Sequence, residues 1–199
     1  MRMDKDSFEK LFSRIDNGFV GSESVAYDYQ RKYVRYYLGK KTVLDVACGQ
    51  GSFLRAASEL GIDILGLDLE EDFVNSCTAK GFNARKENVF EFLDQQTNKE
   101  VFEGIFNAHL IEHLDSRRAI ELLVLFYESL KKGGIVTIIT PNFAAQHVHE
   151  NVFWLSSSHV RPYPLMWLGN AFAQIGFDIL DGGLDADVGD TFIVGMKPN

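Results

Sequence analysis

At 199 residues, with 46% hydrophobic, 13% aromatic and 24% charged residues, the chain has the composition of one globular domain that buries a core without staples. Its 20 basic against 28 acidic residues give a formal charge of −8, the wrong sign for a broad nucleic-acid surface. The two cysteines, Cys48 and Cys77, have neither metal-ligand nor redox spacing and are expected as free thiols of a reducing compartment.

The opening "MRMDKDSFEKLFSRID" sets Phe8, Leu11, Phe12 and Ile15 at helical spacing among charges, which predicts a helix over 6–15. It holds no uncharged apolar run, so neither a signal peptide nor a membrane span is expected, and the default location is cytoplasmic. A second helix is predicted over 23–38. Strands at 42–46, 63–68, 82–86, 103–108 and 134–140 then alternate with helical stretches at 51–60, 71–80, 89–95 and 116–132. The last of these helices places Lys131 and Lys132 in its final turn before a glycine stop.

After Thr140-Pro141-Asn142 comes an irregular stretch to about 163, rich in His147, His149, Phe153, Trp154, His159 and Tyr163. A helix at 164–175 and strands at 177–181 and 191–197 close the chain. Alternation of this kind predicts an α/β, doubly wound sheet of about seven strands, mostly parallel, with an antiparallel C-terminal hairpin and added N-terminal helices. Ligands of such sheets sit at the strand C-terminal ends. The single domain, 1–199, divides into N-terminal helices (1–40), an alternating core (41–142), and a long loop with closing strands (143–199).

"VLDVACGQGSF", 43–53, runs from a strand through a Gly-bracketed turn into a helix. A dinucleotide fingerprint wants a third glycine where Leu54 stands, and a P-loop wants a lysine that the turn lacks. What the chain offers is an acid on the strand, Asp45, then Gly49 and Gly51, then a second acid, Asp68, ending the next strand. One carboxylate can accept from both vicinal hydroxyls of a ribose. A nucleoside without phosphates, carrying an amino-acid tail, fits this distribution of charge.

The chain here resembles the class I S-adenosylmethionine-dependent methyltransferases, which are Rossmann-like. The resemblance rests on "VLDVACGQGSF", "GLDL" at 66–69, "IEHL" at 111–114, "LKKGGIVTIITPN" at 130–142 and "HVRPY" at 159–163. It implies that 1–40 form a helical lid, 41–142 a cofactor-binding core and 143–199 an acceptor loop with closing strands. More narrowly, "GFVGSESVAYDYQRKYV" and the "TPN…FW…SHVRPY" tail are similar to the methyltransferase domains of bacterial surface-polysaccharide enzymes, such as O-antigen chain-terminating methyltransferases. Two departures stand out. Phe19-Val20-Gly21-Ser22 lacks the family's arginine, which Arg31 could replace, and Ala47 stands where the family favours glycine.

The resemblance implies S-adenosyl-L-methionine as cofactor, held by Asp45, Ala47, Gly49, Gly51, Phe53, Asp68, Leu69, Asn88, Val89, Asn107 and Ala108. Asp45 would meet the methionyl ammonium, Asp68 the ribose and Leu69 the adenine face; Asn88 and Val89 would meet the ring's edge. Plainer roles compete: Asp45 as a structural acid, Asn88 as a helix N-cap. His109 and His113 fall where the methyl is presented and are the candidate catalytic bases, or else order the turn. His159, Arg161 and Tyr163 would reach the acceptor, although Arg161 could equally brace the loop. Phe153 and Trp154 are sugar platforms or the loop's own core.

Methyl transfer needs no metal, and none is expected. The acceptor is expected to be a glycan, a glycan-linked group or another small molecule, with neither nucleic acid nor membrane insertion and with enzymes of glycan assembly as partners. A small-molecule O-methyltransferase and a non-catalytic cofactor-binding subunit are the rivals. A base N-methyltransferase is disfavoured, because 107–110 reads Asn-Ala-His-Leu rather than Asn/Asp-Pro-Pro-aromatic.

Overall fold

The structure is a computed structural model and describes residues 3–16, 23–185 and 189–199. Seven strands form one sheet: β1 (Val43–Val46), β2 (Ile64–Asp68), β3 (Ala84–Lys86), β4 (Phe102–Ala108), β5 (Leu130–Pro141), β6 (Asp178–Asp185) and β7 (Asp190–Met196). Their order is β3-β2-β1-β4-β5-β7-β6. The first five run parallel, and β7 lies antiparallel between β5 and β6. The Rossmann-like sheet with an antiparallel hairpin is therefore present as expected.

The chain starts at β1, winds outward to β3, and returns to place β4 on the other side of β1. Crevices open where the winding direction reverses, so the loops leaving β1 and β4 are the ones that face a ligand. The glycine turn leaves β1, and the His109–Leu114 segment leaves β4. That single crossover brings together two motifs far apart in sequence.

The helices are α1 (Lys5–Asp16), α2 (Glu23–Gln30), α3 (Ser52–Ser58), α4 (Glu71–Ala79), α5 (Val89–Asp94), α6 (Ser116–Ser129) and α7 (Leu165–Ile175). Side chains of α3 to α7 pack on the two faces of the sheet, whereas Phe8, Phe12 and Ile15 of α1 are exposed. Alternation along β1 sends Leu44 and Val46 into a core shared with α5, α6 and α7. Val43 packs on the other face with Phe53, Leu54 and Phe106. A side-chain period of two does this without further instruction.

Three expected boundaries move. The helix expected over 23–38 becomes 3-10 at Arg31–Tyr37, with Tyr33, Val34 and Tyr37 buried. A three-residue period stacks Val34 over Tyr37, which the α-helical period would splay. Helix α6 stops at Ser129 rather than 132, because buried Leu130 already pairs with Phe102 as the first residue of β5. Lys131 therefore faces Glu103 across 3.3 Å instead of capping a helix. The strand expected over 177–181 runs on to Asp185 as β6. Among the described residues no helix is long and apolar enough to cross a membrane.

Tyr37 joins the 3-10 segment to the sheet. Its ring meets Phe53 edge-on at 5.4 Å, and its hydroxyl donates to the Ile105 carbonyl at 2.7 Å. Tyr37→Phe keeps the ring and removes that one hydrogen bond, so it should cost about 0.5–1.5 kcal/mol. Chemical denaturation should show a lower midpoint with the same m-value. An unchanged midpoint would mean that water replaces the hydroxyl.

Candidate functional site

Beyond β1 the backbone turns through left-handed residues: Ala47 (φ 57°), Gly49 (φ 51°) and Gly51 (φ 85°). Ala47 adopts this conformation at a cost of about 1–2 kcal/mol, which explains a preference for glycine there. The two glycines do different work. A Cβ built on Gly49 meets nothing within 4 Å, whereas one on Gly51 would lie 2.8 Å from Cys77 Sγ. Gly49 thus borders open space, and Gly51 lets α4 pack against the turn.

Asp68 fixes this turn. Its Oδ2 accepts from the Gly49 N–H at 2.8 Å and its Oδ1 from the Glu70 N–H at 2.9 Å. Each oxygen keeps a further lone pair. Beside it, Leu69 is 60% exposed, a bare apolar side chain at the rim. The two cysteines, distant in sequence, hydrogen-bond each other under the turn, and Cys77 Sγ also reaches the Gly49 carbonyl at 3.3 Å.

Asp45 is only 2% exposed, and its Oδ2 has no hydrogen-bond partner. Burial, then Cys77 and Asp68, push its carboxyl well above the usual range. A buried carboxylate without a counter-charge is costly, and a cation is what would relieve it.

Other expected cofactor residues divide. Asn88 caps α5, its Oδ1 accepting from the Phe90 N–H at 2.9 Å, and Val89 is the first residue of that helix. Asn107 is fully buried; its amide donates to the Val46 carbonyl at 3.0 Å, and its Oδ1 has no partner. Ala108 ends β4 at the edge of the core. Phe53 is buried and stacks on Phe106 at 3.6 Å. Arg31 lies exposed, 3.9 Å from Asp28. Phe19–Ser22 lies outside the described residues.

The loop after β4 builds a second cluster. His109, itself left-handed (φ 56°), leads into a 3-10 turn at Ile111–His113. Glu112 points inward, fully buried, with Oε1 3.2 Å from His109 Nδ1 and Oε2 accepting from Thr140 Oγ1 at 3.0 Å. His109 Nε2 stands 2.9 Å from the Tyr29 hydroxyl and 3.4 Å from Asp190 Oδ2. Burial pulls the His109 pKa down, but Tyr29, Asp190 and Glu112 outweigh it and hold it well above the ordinary imidazole value. Burial pushes Glu112 up, yet its hydrogen bond and attraction to His109 leave it lowered. His113, by contrast, is lowered by burial and so tends to be neutral. Its ring meets that of His159 at 4.7 Å.

The acceptor residues expected from "HVRPY" part company. His159 joins the cluster. Arg161 does not: its guanidinium hydrogen-bonds Ser116 Oγ and the Pro162 carbonyl and lies over Tyr163 at 5.0 Å. Tyr163 is fully buried and donates to the Leu114 carbonyl at 2.7 Å, so it is a core residue. The segment leading into α7 packs against the start of α6 and engages both side chains there. Phe153 is buried core, while Trp154 is 60% exposed. Glu112, Tyr29, Thr140 and Asp190 take no role from the sequence, although "IEHL", "GFVGSESVAYDYQRKYV" and "LKKGGIVTIITPN" contain the first three of them.

A family model described as a methyltransferase domain matches residues 23–181. The chain belongs to that family. A SAM-dependent methyltransferase from Archaeoglobus fulgidus is 26% identical, with a TM-score of 0.81 over 96% of this chain and 100% of that one. A Geobacillus sp. (strain WCH70) protein bearing a methyltransferase name is 23% identical over 81% of this chain and 67% of its own. The magnesium protoporphyrin IX methyltransferase of Synechocystis PCC 6803, solved with bound SAH, shares the fold at 12% identity, with a TM-score of 0.71 over 97% of each chain.

This chain is a class I methyltransferase, and its methyl donor is S-adenosylmethionine. Its residues fit that donor: the partnerless Asp45 Oδ2 suits an ammonium, and the open space over Gly49 leaves room for a ligand against the backbone. Asp45, Gly49, Asp68 and Leu69 are the residues that could hold it.

The state of Asp45 gives the ligand-free methyltransferase a pH signature. Unfolded, its carboxyl ionises near 3.8; folded, it keeps its proton to higher pH. Between those values the native chain binds more protons than the unfolded one, so stability falls as pH rises through the window. Asp45→Asn should remove that part of the fall, seen as denaturation midpoints across a pH series. Parallel slopes for the two proteins would mean that Asp45 ionises normally in the fold.

Proposed function

We propose that this methyltransferase transfers a methyl group to a hydroxyl of a glycan or glycan-linked acceptor. The observation that carries this reading is the polar cluster His109, Glu112, His113 and His159, next to the crossover that opens the ligand crevice. A buried carboxylate with imidazoles around it suits a hydroxylated acceptor better than a wholly apolar one. Exposed Trp154 offers a face on which a sugar ring can stack. A free quinone or other small molecule is the rival acceptor.

When bound, S-adenosylmethionine supplies a methyl group already activated on a sulfonium. The chain's task is to align, to exclude water, and to manage the acceptor's proton. Asp68 holds the turn with one lone pair on each oxygen and offers the others to ribose hydroxyls. Asp45 offers its carboxylate to the ammonium. His109, with both ring nitrogens engaged, acts as a fixed charge that positions Glu112 and Tyr29. His113, biased toward the neutral form, is the histidine suited to activate the acceptor hydroxyl.

In this reading the 3-10 segment and α2 form one wall of the acceptor space, through Tyr29 on His109 and Tyr33 on Asp185 at 3.2 Å. Residues 143–163, with a π-helical turn at Val148–Val152, form the other. The chain would work in the cytoplasm, beside enzymes that assemble the glycan. Transfer of labelled methyl to sugars and phosphosugars, set against quinones and catechols, tests the acceptor class. Turnover confined to the second group would overturn the glycan assignment.

Two substitutions separate donor from acceptor. Asp68→Ala should weaken binding of S-adenosylhomocysteine by about 1.5–3 kcal/mol, the range for hydrogen bonds to a charged group; calorimetry giving the parental affinity would take Asp68 out of the site. His113→Ala should lower turnover by about 10²–10⁴ while leaving that affinity nearly unchanged. A loss under tenfold would leave alignment alone as the source of rate.

A further inference from the structure

We propose that Glu112, His113 and His159 form a binding site for a divalent first-row transition ion of the zinc class. One donor atom from each lies within 4.8 Å of the other two. Ligand bonds of about 2.0–2.1 Å to a tetrahedral ion place donors roughly 3.4 Å apart, so closure needs a contraction of no more than about an ångström and a half. Two imidazoles and a carboxylate select zinc, cobalt or iron(II) over magnesium or calcium, which prefer oxygen alone.

The supports around these donors are those of a metal site. A ligating imidazole usually gives its other N–H to a carbonyl or carboxylate, which fixes the tautomer. His159 Nδ1 hydrogen-bonds the Phe153 carbonyl at 2.5 Å, leaving Nε2 as its lone pair. His113 hydrogen-bonds the Ser158 backbone. Thr140 and His109 hold the Glu112 carboxylate from two sides. The backbone closes the frame: the Val160 N–H donates to the Glu112 carbonyl at 2.8 Å and the Arg161 N–H at 3.3 Å. These bonds carry His159 to a fixed place beside the 3-10 turn that bears the other two donors.

Three protein donors leave coordination positions open, the pattern of catalytic rather than structural sites. Resting on the methyltransferase reading above, the open position would take the acceptor's hydroxyl and lower its pKa. The hydroxyl proton leaves to solvent, an oxygen lone pair forms the new C–O bond, and the pair of the broken S–C bond stays on sulfur. His113 would then activate the hydroxyl through the ion.

The chain is stripped with a chelator, then titrated with Co²⁺ by visible absorption and with Zn²⁺ by calorimetry. A single ion per chain is expected. His113→Ala and His159→Ala should each weaken binding by at least about tenfold, the lower end of what losing even an outer-shell partner costs. His149→Ala, outside the cluster, should bind as the parent does. Glu112→Gln keeps the buried volume; should it misfold, the histidine variants still decide. Substoichiometric binding, affinity unchanged in both histidine variants, or an intense sulfur-to-cobalt band pointing to Cys48 and Cys77 would each overturn the site. S-adenosylhomocysteine binding to the stripped chain is read separately. If that binding persists while the ion fails to bind, the metal site alone falls; if it is absent with and without the ion, the donor assignment falls.

Discussion

Glu112 carries a carboxyl held below its ordinary pKa by His109 into an interior where it has no access to water, and the loop after β4 is arranged around satisfying it. One oxygen takes His109, the other Thr140, and its backbone carbonyl takes two N–H groups from the 160–161 segment. Those partners come from β4's own loop, from β5 and from the chain leading into α7. A buried charge left unpartnered costs several kcal/mol, so none of the three elements can drift without penalty. Burial alone would lower the His109 pKa, but Tyr29 and Asp190, with the Glu112 hydrogen bond added, hold it raised, and the hydrogen bond and attraction to His109 in turn keep the Glu112 carboxyl lowered.

The donor side has the opposite character. There Asp45 is buried with an oxygen unmatched, and the turn above it is bent through three left-handed residues with empty space over Gly49. Left-handed non-glycine residues, Ala47 and His109, bend the chain on both sides, whereas Glu112 has both oxygens partnered and Asp45 does not. Unmet buried polar groups cluster where a ligand supplies the missing partner. The contrast fits a donor that brings a partner to Asp45.

Much of the fold is legible in the chain because period-2 and period-3.6 patterns report which face is buried, and each β-to-α step shows its break. The glycine turn is legible for a related reason: left-handed backbone restricts residue type at fixed spacing. Boundaries shift where tertiary packing overrides local pattern, as at Leu130, whose burial in the sheet outweighs the lysine and glycine stop signals that follow it. Glu112 is not legible. Hydropathy treats a glutamate as surface, and its partner Thr140 lies 28 residues away on another strand. The partners of Arg161 and Tyr163 are not legible either, since a motif names residue types but not the direction in which a packed segment turns them.

The N-terminal segment shows how the two halves are joined. Lys32 and Tyr33 both engage Asp185 at the end of β6, and Tyr36 engages Asp181 on the same strand. The hairpin continues into β7, whose Asp190 faces His109. Tyr29, from the preceding helix, meets the same imidazole from the other side. His109 is therefore where the covering segment, the edge hairpin and the buried carboxylate converge. Moving the segment away would remove the Tyr29 contact and leave the imidazolium to Asp190 and Glu112. The electrostatic setting of Glu112 therefore depends on where the N-terminal segment sits, through that one imidazole.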